Sequence, residues 1–274
     1  MTPKDKWKQL GWRHTVWNLV RFFRSLQRKK DLVPWLEELL NKKQMKAGGS
    51  ADFPIDPKHI TLFFDYLKER EENGAKVCGN LRTEEQAIKA CTDRNLTVEY
   101  TKTKNKDHHQ SAKAVVSLVN GVVGNVCRAR VISFNPNPQS RCVWCTENRL
   151  HVTARNLNGA IPSLANPIIV WQIKEYWGST AGGSKMSDAV YECNLIGREL
   201  REFEEGTRTN KSTAIKVVHI VFVDGRIQWN ARRSDLKRFV DLTNQGLIDY
   251  LLVGSEIETE LEPILNSVLG ASNK

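Results

Sequence analysis

No apolar run in these 274 residues approaches the roughly 18–20 needed to span a bilayer. The opening stretch, MTPKDKWKQLGW, lacks the apolar core of a secretory signal. Both absences argue against a membrane partner and lead to the expectation of a cytoplasmic protein. A second CxxC or an HxxxH pair is also missing. Cys127, Cys142, Cys145 and His151 therefore make only an incomplete case for zinc, and reduced, buried cysteines are expected instead. There is no internal repeat and no extended low-complexity tract, so the length suits one large domain or a core domain with an added subdomain. Acidic residues are in short supply. Asp and Glu number 31 against 41 Lys and Arg, a net charge of +10 with a pI near 9.3. Such an excess favours a polyanionic partner, because each neutralised phosphate releases counterions.

The pattern of apolar residues divides the chain near residue 110. Before it, helices are predicted. Trp7, Leu10, Trp17, Val20, Phe23 and Leu26 recur at spacings close to three and four over residues 4–30. A second helix starts at Asp31, KAGGSADFP (46–54) is a linker, and Asp56-Pro57 caps a helix to about residue 72. A capping box, Thr83 with Gln86, opens another. The run KTKNKDHHQ (102–110) is polar and basic, and a helix follows over about 111–122.

From residue 126 strands alternate with helices. Strands are predicted at 127–134, 149–156, 167–177, 216–225 and 249–256. Helices are predicted at 184–205, at 234–245 with Ser234 as N-cap, and at 258–269. This order implies an α/β fold, a central mixed sheet flanked by helices, carrying an all-helical N-terminal subdomain. The division is 1–110 and 111–274.

The strand at 167–177, PIIVWQIKEYW, is apolar on both faces until it ends in Gln172, Lys174 and Glu175. Alternation puts Gln172, Lys174 and Tyr176 on one face and Glu175 on the other. Functional groups in open α/β sheets collect at such strand ends. On a helical wheel Glu192 borders the apolar stripe of its helix and can reach back to this point, with Asp188 on roughly the same side. His219, inside an apolar strand, reads as a core histidine. Trp7 and Trp17 read as packing residues.

The ordered set IPS (161–163), QIKEYW (172–177), GGSK (182–185), DAVYE (188–192) and HIVFVDG (219–225) resembles the catalytic core of the PD-(D/E)xK nuclease superfamily. Within it, type II restriction endonucleases are most similar. The resemblance covers roughly residues 145–260. It implies a restriction endonuclease-like core that hydrolyses DNA phosphodiesters with Mg²⁺, the lysine stabilising developing charge. It also implies duplex DNA as partner and a homodimer matched to a palindromic site.

Carried over by position, Lys174 matches the family lysine, while Ser163 and Gln172 stand where acids are expected. A hydroxyl and an amide offer oxygens but no charge to a hard cation. Glu147 or Glu192 could supply the missing carboxylate, giving Glu147, Gln172 and Glu192 as the metal set. Alternatively, the chain is a catalytically silent DNA-binding protein on the same fold, or a repair or junction nuclease. Ser184 and Lys185 at a helix start, with Arg232, Arg233, Lys237 and Arg238 at another, are the candidate DNA contacts.

Overall fold

The computed structural model describes residues 1–2, 4–26, 41, 44–46, 52–54, 56–101, 110–136, 140–147, 149–178, 183–207 and 215–271. The helix expected from Asp31, most of the linker at 46–54, the basic run at 102–109 and the glycine turn at Gly182 lie outside these residues.

The helix predicted over 4–30 is two helices, α1 (Asp5–Lys8) and α2 (Thr15–Leu26), because Gly11 takes φ 75° between them. A short antiparallel hairpin follows, β1 (Gln44–Lys46) with β2 (Asp52–Pro54). Helix α3 (Pro57–Asn80) opens as the sequence suggests, with the Asp56 carboxylate accepting the Lys58 N–H at 2.9 Å. It runs past the expected end at residue 72. Helix α4 (Glu84–Thr92) carries the complete Thr83–Gln86 capping box.

Helix α5 (Ala114–Ala129) corrects one expectation. It takes in the first residues of the strand predicted at 127–134. The buried series Val115, Leu118, Val119, Val123, Val126 and Cys127 keeps helical spacing through that point. Only β3 (Asn135–Pro136) pairs as strand there. A hairpin, β4 (Val143–Thr146) with β5 (Arg149–Val152), stands apart from the main sheet.

The main sheet adds β6 (Gly159–Ile161), β7 (Ile169–Glu175), β8 (Val218–Asp224) and β9 (Tyr250–Val253), in the order β3-β6-β7-β8-β9. Strand β6 is antiparallel to β3 and β7, whereas β7, β8 and β9 run parallel. The sheet is therefore mixed and the class α/β. The parallel connections are helical: α6 (Gly183–Thr207) between β7 and β8, then α7 (Arg226–Ala231) and α8 (Arg233–Asn244) between β8 and β9. Helix α9 (Glu256–Ala271) closes the chain. Ser234 lies inside α8 rather than capping it, since the helix begins at Arg233 without a side-chain cap.

Each sheet face has its own core. Ile169, Trp171, Ile220, Phe222 and Leu252 pack on α5 and α9. Val221, Val223, Leu251 and Val253 pack on α6 and α8. Trp144 of the hairpin joins Val170 against Ile196, Leu200 and Phe203 of α6. Trp7 and Trp17 pack with Ile60, Phe63 and Tyr66, so both are packing residues as expected. The 110 boundary falls between α4 and α5, whose Cys91 and Leu118 share one core. At the end of β8, Gly225 takes φ 117°, and a Cβ there would sit 2.0 Å from the Tyr176 carbonyl oxygen. Among the described residues no helix is long and apolar enough to cross a membrane.

Candidate functional site

Strand β7 owes its length to the β-branched and aromatic run Ile169-Val170-Trp171, buried on both faces. Its even positions face α6. Lys174 Nζ reaches Glu192 Oε2 at 2.7 Å, and Arg155 Nη2 reaches Glu192 Oε1 at 2.6 Å. Glu192 borders the buried stripe of Ala189, Val190, Cys193 and Ile196, the position from which the wheel has it reach the strand end.

The charges of this cluster are fixed by one another. Burial works against the Lys174 ammonium, but the Cys193 sulfur and the bonded Glu192 carboxylate outweigh it, and its pKa stands above the ordinary lysine value. Burial likewise opposes ionisation of Glu192, yet Lys174 and Arg155 together hold its pKa below the usual carboxylate range. Neither group is poised to take a proton from water near neutrality.

Gln172 is buried beside them, its Oε1 3.1 Å from His219 Nε2. Burial pushes the His219 pKa down to about 4, so the ring is neutral at pH 7. Its Nδ1 lies 2.9 Å from the Leu247 carbonyl oxygen, which can only accept. Gln172 Oε1 is likewise an acceptor, and a neutral ring carries one N–H, so the ring donates to one of these two oxygens at a time.

Gln172, Lys174 and Glu192 line an open cleft of about 460 Å³ together with Arg141, Arg155, Asn156, Asn158 and Tyr176. Asn158 is brought there by the antiparallel pairing of β6 with β7. Its N–H donates to the Trp171 carbonyl at 2.9 Å, and its Oδ1 accepts the Ile173 N–H at 2.8 Å.

The same register sends Ser163 the other way. It follows Ile161, whose partner is Ile169 at the far end of β7. The Ser163 hydroxyl closes an exposed turn, donating to the Ala165 carbonyl at 2.9 Å and accepting the Ala165 N–H at 3.2 Å. Ser163 is therefore not part of the cleft, a correction of its assignment from sequence. Asn158, at the opposite end of β6, occupies the place proposed for Ser163. Glu147 is exposed in the turn between β4 and β5 and does not line the cleft.

The candidate DNA contacts are also outside it. Ser184 and Lys185 are exposed at the start of α6, and Arg233 is exposed at the start of α8. Arg232 donates to Asp235 and to Ser187, both at 2.9 Å. Lys237 pairs with Glu71, and Arg238 with Asp235 at 3.0 Å. Arg141, Arg155 and Asn158 were not singled out from sequence. They sit in loops, where no periodicity marks a functional face.

The donor set does not suit Mg²⁺. It offers one carboxylate, already shared by two cations, beside neutral amides, whereas hard cations are held by several anionic oxygens. Among the described residues no group of three His, Cys, Asp or Glu could hold a metal ion. The zinc reading fails on burial and position. Cys127 and Cys142 lie in separate cores, while Cys145 is exposed.

Residues 69–268 match a family described as a domain of unknown function, DUF7687. The chain belongs to the DUF7687 family. The match runs from within α3 to the last turns of α9, so the main sheet and the cleft are both DUF7687 structure. No curated protein and no solved structure matches the chain.

Two groups of this DUF7687 core, one half-buried and one buried, oppose each other in their response to pH. On the other face of β7, burial pushes Glu175 up to about 7 from 4.5, although the Val115 N–H bonds it at 2.9 Å. Between pH 4.5 and 7 the folded state then binds more protons than the unfolded one, and stability falls as pH rises. His219, pushed down from 6.5 to about 4, binds fewer protons folded than unfolded, so stability rises with pH through that window. Each effect is roughly 3 kcal/mol, and the two largely cancel where they overlap. Glu175→Gln removes one side of the balance. Relative to wild type, its stability should increase by roughly 3 kcal/mol from pH 4.5 to 7. Urea unfolding of both proteins across that range measures the difference, and a pH-independent difference would refute it.

Proposed function

We propose that this DUF7687 chain binds duplex DNA on a restriction endonuclease-like core, holding one backbone phosphate in the cleft at the end of β7. The observation that carries this reading is the charge balance of the cleft. Arg141, Arg155 and Lys174 face a single carboxylate, Glu192, among otherwise neutral lining residues. Lys174 supplies a point charge, and the Arg155 guanidinium can fork onto two phosphate oxygens. Glu192 holds both side chains in place until a phosphate competes for them. The net charge of +10 adds long-range attraction. A homodimer presenting two such clefts would suit a palindromic duplex.

Mg²⁺-dependent endonuclease activity is the second reading. It rests on the lysine and glutamate meeting at a strand end in a chain whose motifs resemble restriction endonucleases. Fluorescence anisotropy with a labelled duplex, from about 50 to 200 mM salt, tests the first reading. Lys174→Ala should weaken binding by about tenfold and flatten the salt slope by about one ion. Incubation of mixed-sequence plasmid with Mg²⁺ or Mn²⁺ tests the second. Wild type should leave the plasmid intact, whereas cleavage that disappears in Lys174→Ala would put the nuclease reading first. Absence of any DNA binding would overturn both.

A further inference from the structure

A second cationic cavity lies on the other side of α6, between α2, α6 and α8, with a volume of about 510 Å³. Three guanidiniums line it. Arg238 lies 4.4 Å over the Tyr191 ring and is neutralised by Asp235. Arg21 and Arg198 are different. Arg21 donates to Asn18 at 3.2 Å and to Gln245 at 3.4 Å, and Arg198 to Asn194 at 3.2 Å. These are neutral amides, and among the described residues neither arginine has a carboxylate partner. The acid nearest to hand, Asp241, is already held by Arg70 on both oxygens and by the Tyr66 hydroxyl. Arg198 is steadied from outside by Trp12, its guanidinium 5.3 Å from the ring centroid.

Gathering like charges in a partly desolvated pocket costs free energy unless an anion offsets it. Partial desolvation and the neighbouring Arg198 charge push the Arg21 pKa down, with Asp241 acting the other way, although Arg21 still reaches solvent. The lining has the chemistry of a phosphate site: planar forks for bidentate bonds, amides to complete them, and an aromatic ring to hold a guanidinium.

We propose that this cavity is a second anion site that binds a phosphate group through Arg21 and Arg198, with Arg238 at its edge. It does not depend on the strand-end cleft. The phosphate has two chemically equivalent sources, a free nucleotide or the backbone of a bound nucleic acid, and α6 borders both cavities through neighbouring residues, Tyr191 here and Glu192 there.

The test titrates inorganic phosphate, a nucleoside 5′-monophosphate and a short duplex into the full chain, read by calorimetry and thermal shift. Wild type and Lys174→Ala should both bind the monophosphate. Affinity should fall by about tenfold or more in Arg198→Gln, and further in Arg21→Gln/Arg198→Gln. Duplex affinity falling in the same variants assigns the site to the nucleic-acid backbone. Duplex affinity unchanged while monophosphate binding is lost assigns it to a free nucleotide. No response of wild type to phosphate or monophosphate overturns the proposal, a result independent of whether any variant folds. Equal monophosphate affinity in the folded double variant overturns it too.

Discussion

Arg70→Ala should lower the unfolding free energy by about 3–5 kcal/mol, the cost of leaving a buried charge without its partner. For a chain of this size that is a drop in Tm on the order of 10 °C. Arg70 and Asp241 are 3% and 4% exposed. They form a two-pronged pair, Nε to Oδ1 at 2.6 Å and Nη2 to Oδ2 at 3.0 Å, and the Tyr66 hydroxyl donates to Oδ1 at 2.7 Å. The desolvation penalty of the Asp241 carboxylate is offset only while these bonds exist. Truncating the arginine leaves one neutral donor and a void in the contact of α3 with α8. Adding Asp241→Leu removes the stranded charge and should recover much of the loss, because an apolar pair avoids the penalty altogether. Chemical unfolding of wild type, single and double variants gives the answer. A loss below about 1 kcal/mol in Arg70→Ala would show that the pair contributes no more than a surface salt bridge.

That pair also shows what the sequence withheld. Arg70 and Asp241 are 171 positions apart, and no periodicity connects them. What local pattern can convey was legible. The caps at Asp56 and Thr83, the face that Gln172 and Lys174 share, and the reach of Glu192 all follow from helix and strand geometry within a few turns. Errors arose where two periods compete or where register decides. Residues 127–134 contain both helical and strand spacing, and the continuing buried face of α5 settled it for the first of them. Its place after a proline points to Ser163, but the antiparallel register of β6 on β7 brings the other end of β6, with Asn158, to the lysine. Arg141 and Arg155 come from loops around the hairpin, whose positions depend on pairings formed far away in the chain.

Asn158→Asp combined with Gln172→Glu should convert the cleft from an anion site into a cation site. The two substitutions add carboxylates to the lining that already holds Lys174 and Glu192, and reverse the donor deficit that makes the wild-type cleft unsuited to Mg²⁺. Three carboxylates in one cleft is the composition that hard cations require. With a dissociation constant on the order of 1 mM, about 10 mM Mg²⁺ or Mn²⁺ should stabilise the variant by roughly 1–2 kcal/mol, and wild type by nothing measurable. Without cation, the crowded carboxylates repel, so the variant should be less stable than wild type and lose further stability as pH rises through their elevated pKa values. The Glu introduced beside His219 should also raise that ring's pKa from about 4, since a carboxylate favours the imidazolium. Thermal unfolding with and without cation reads the first effect, and plasmid nicking reads its consequence. Nicking by the double variant that needs Mg²⁺ and is abolished by Lys174→Ala would mean that Asn158 and Gln172 are what keep the wild-type cleft from cutting. Cation-independent unfolding of the folded double variant would instead show that the cleft cannot gather these oxygens around an ion, and that its charge balance serves phosphate binding alone.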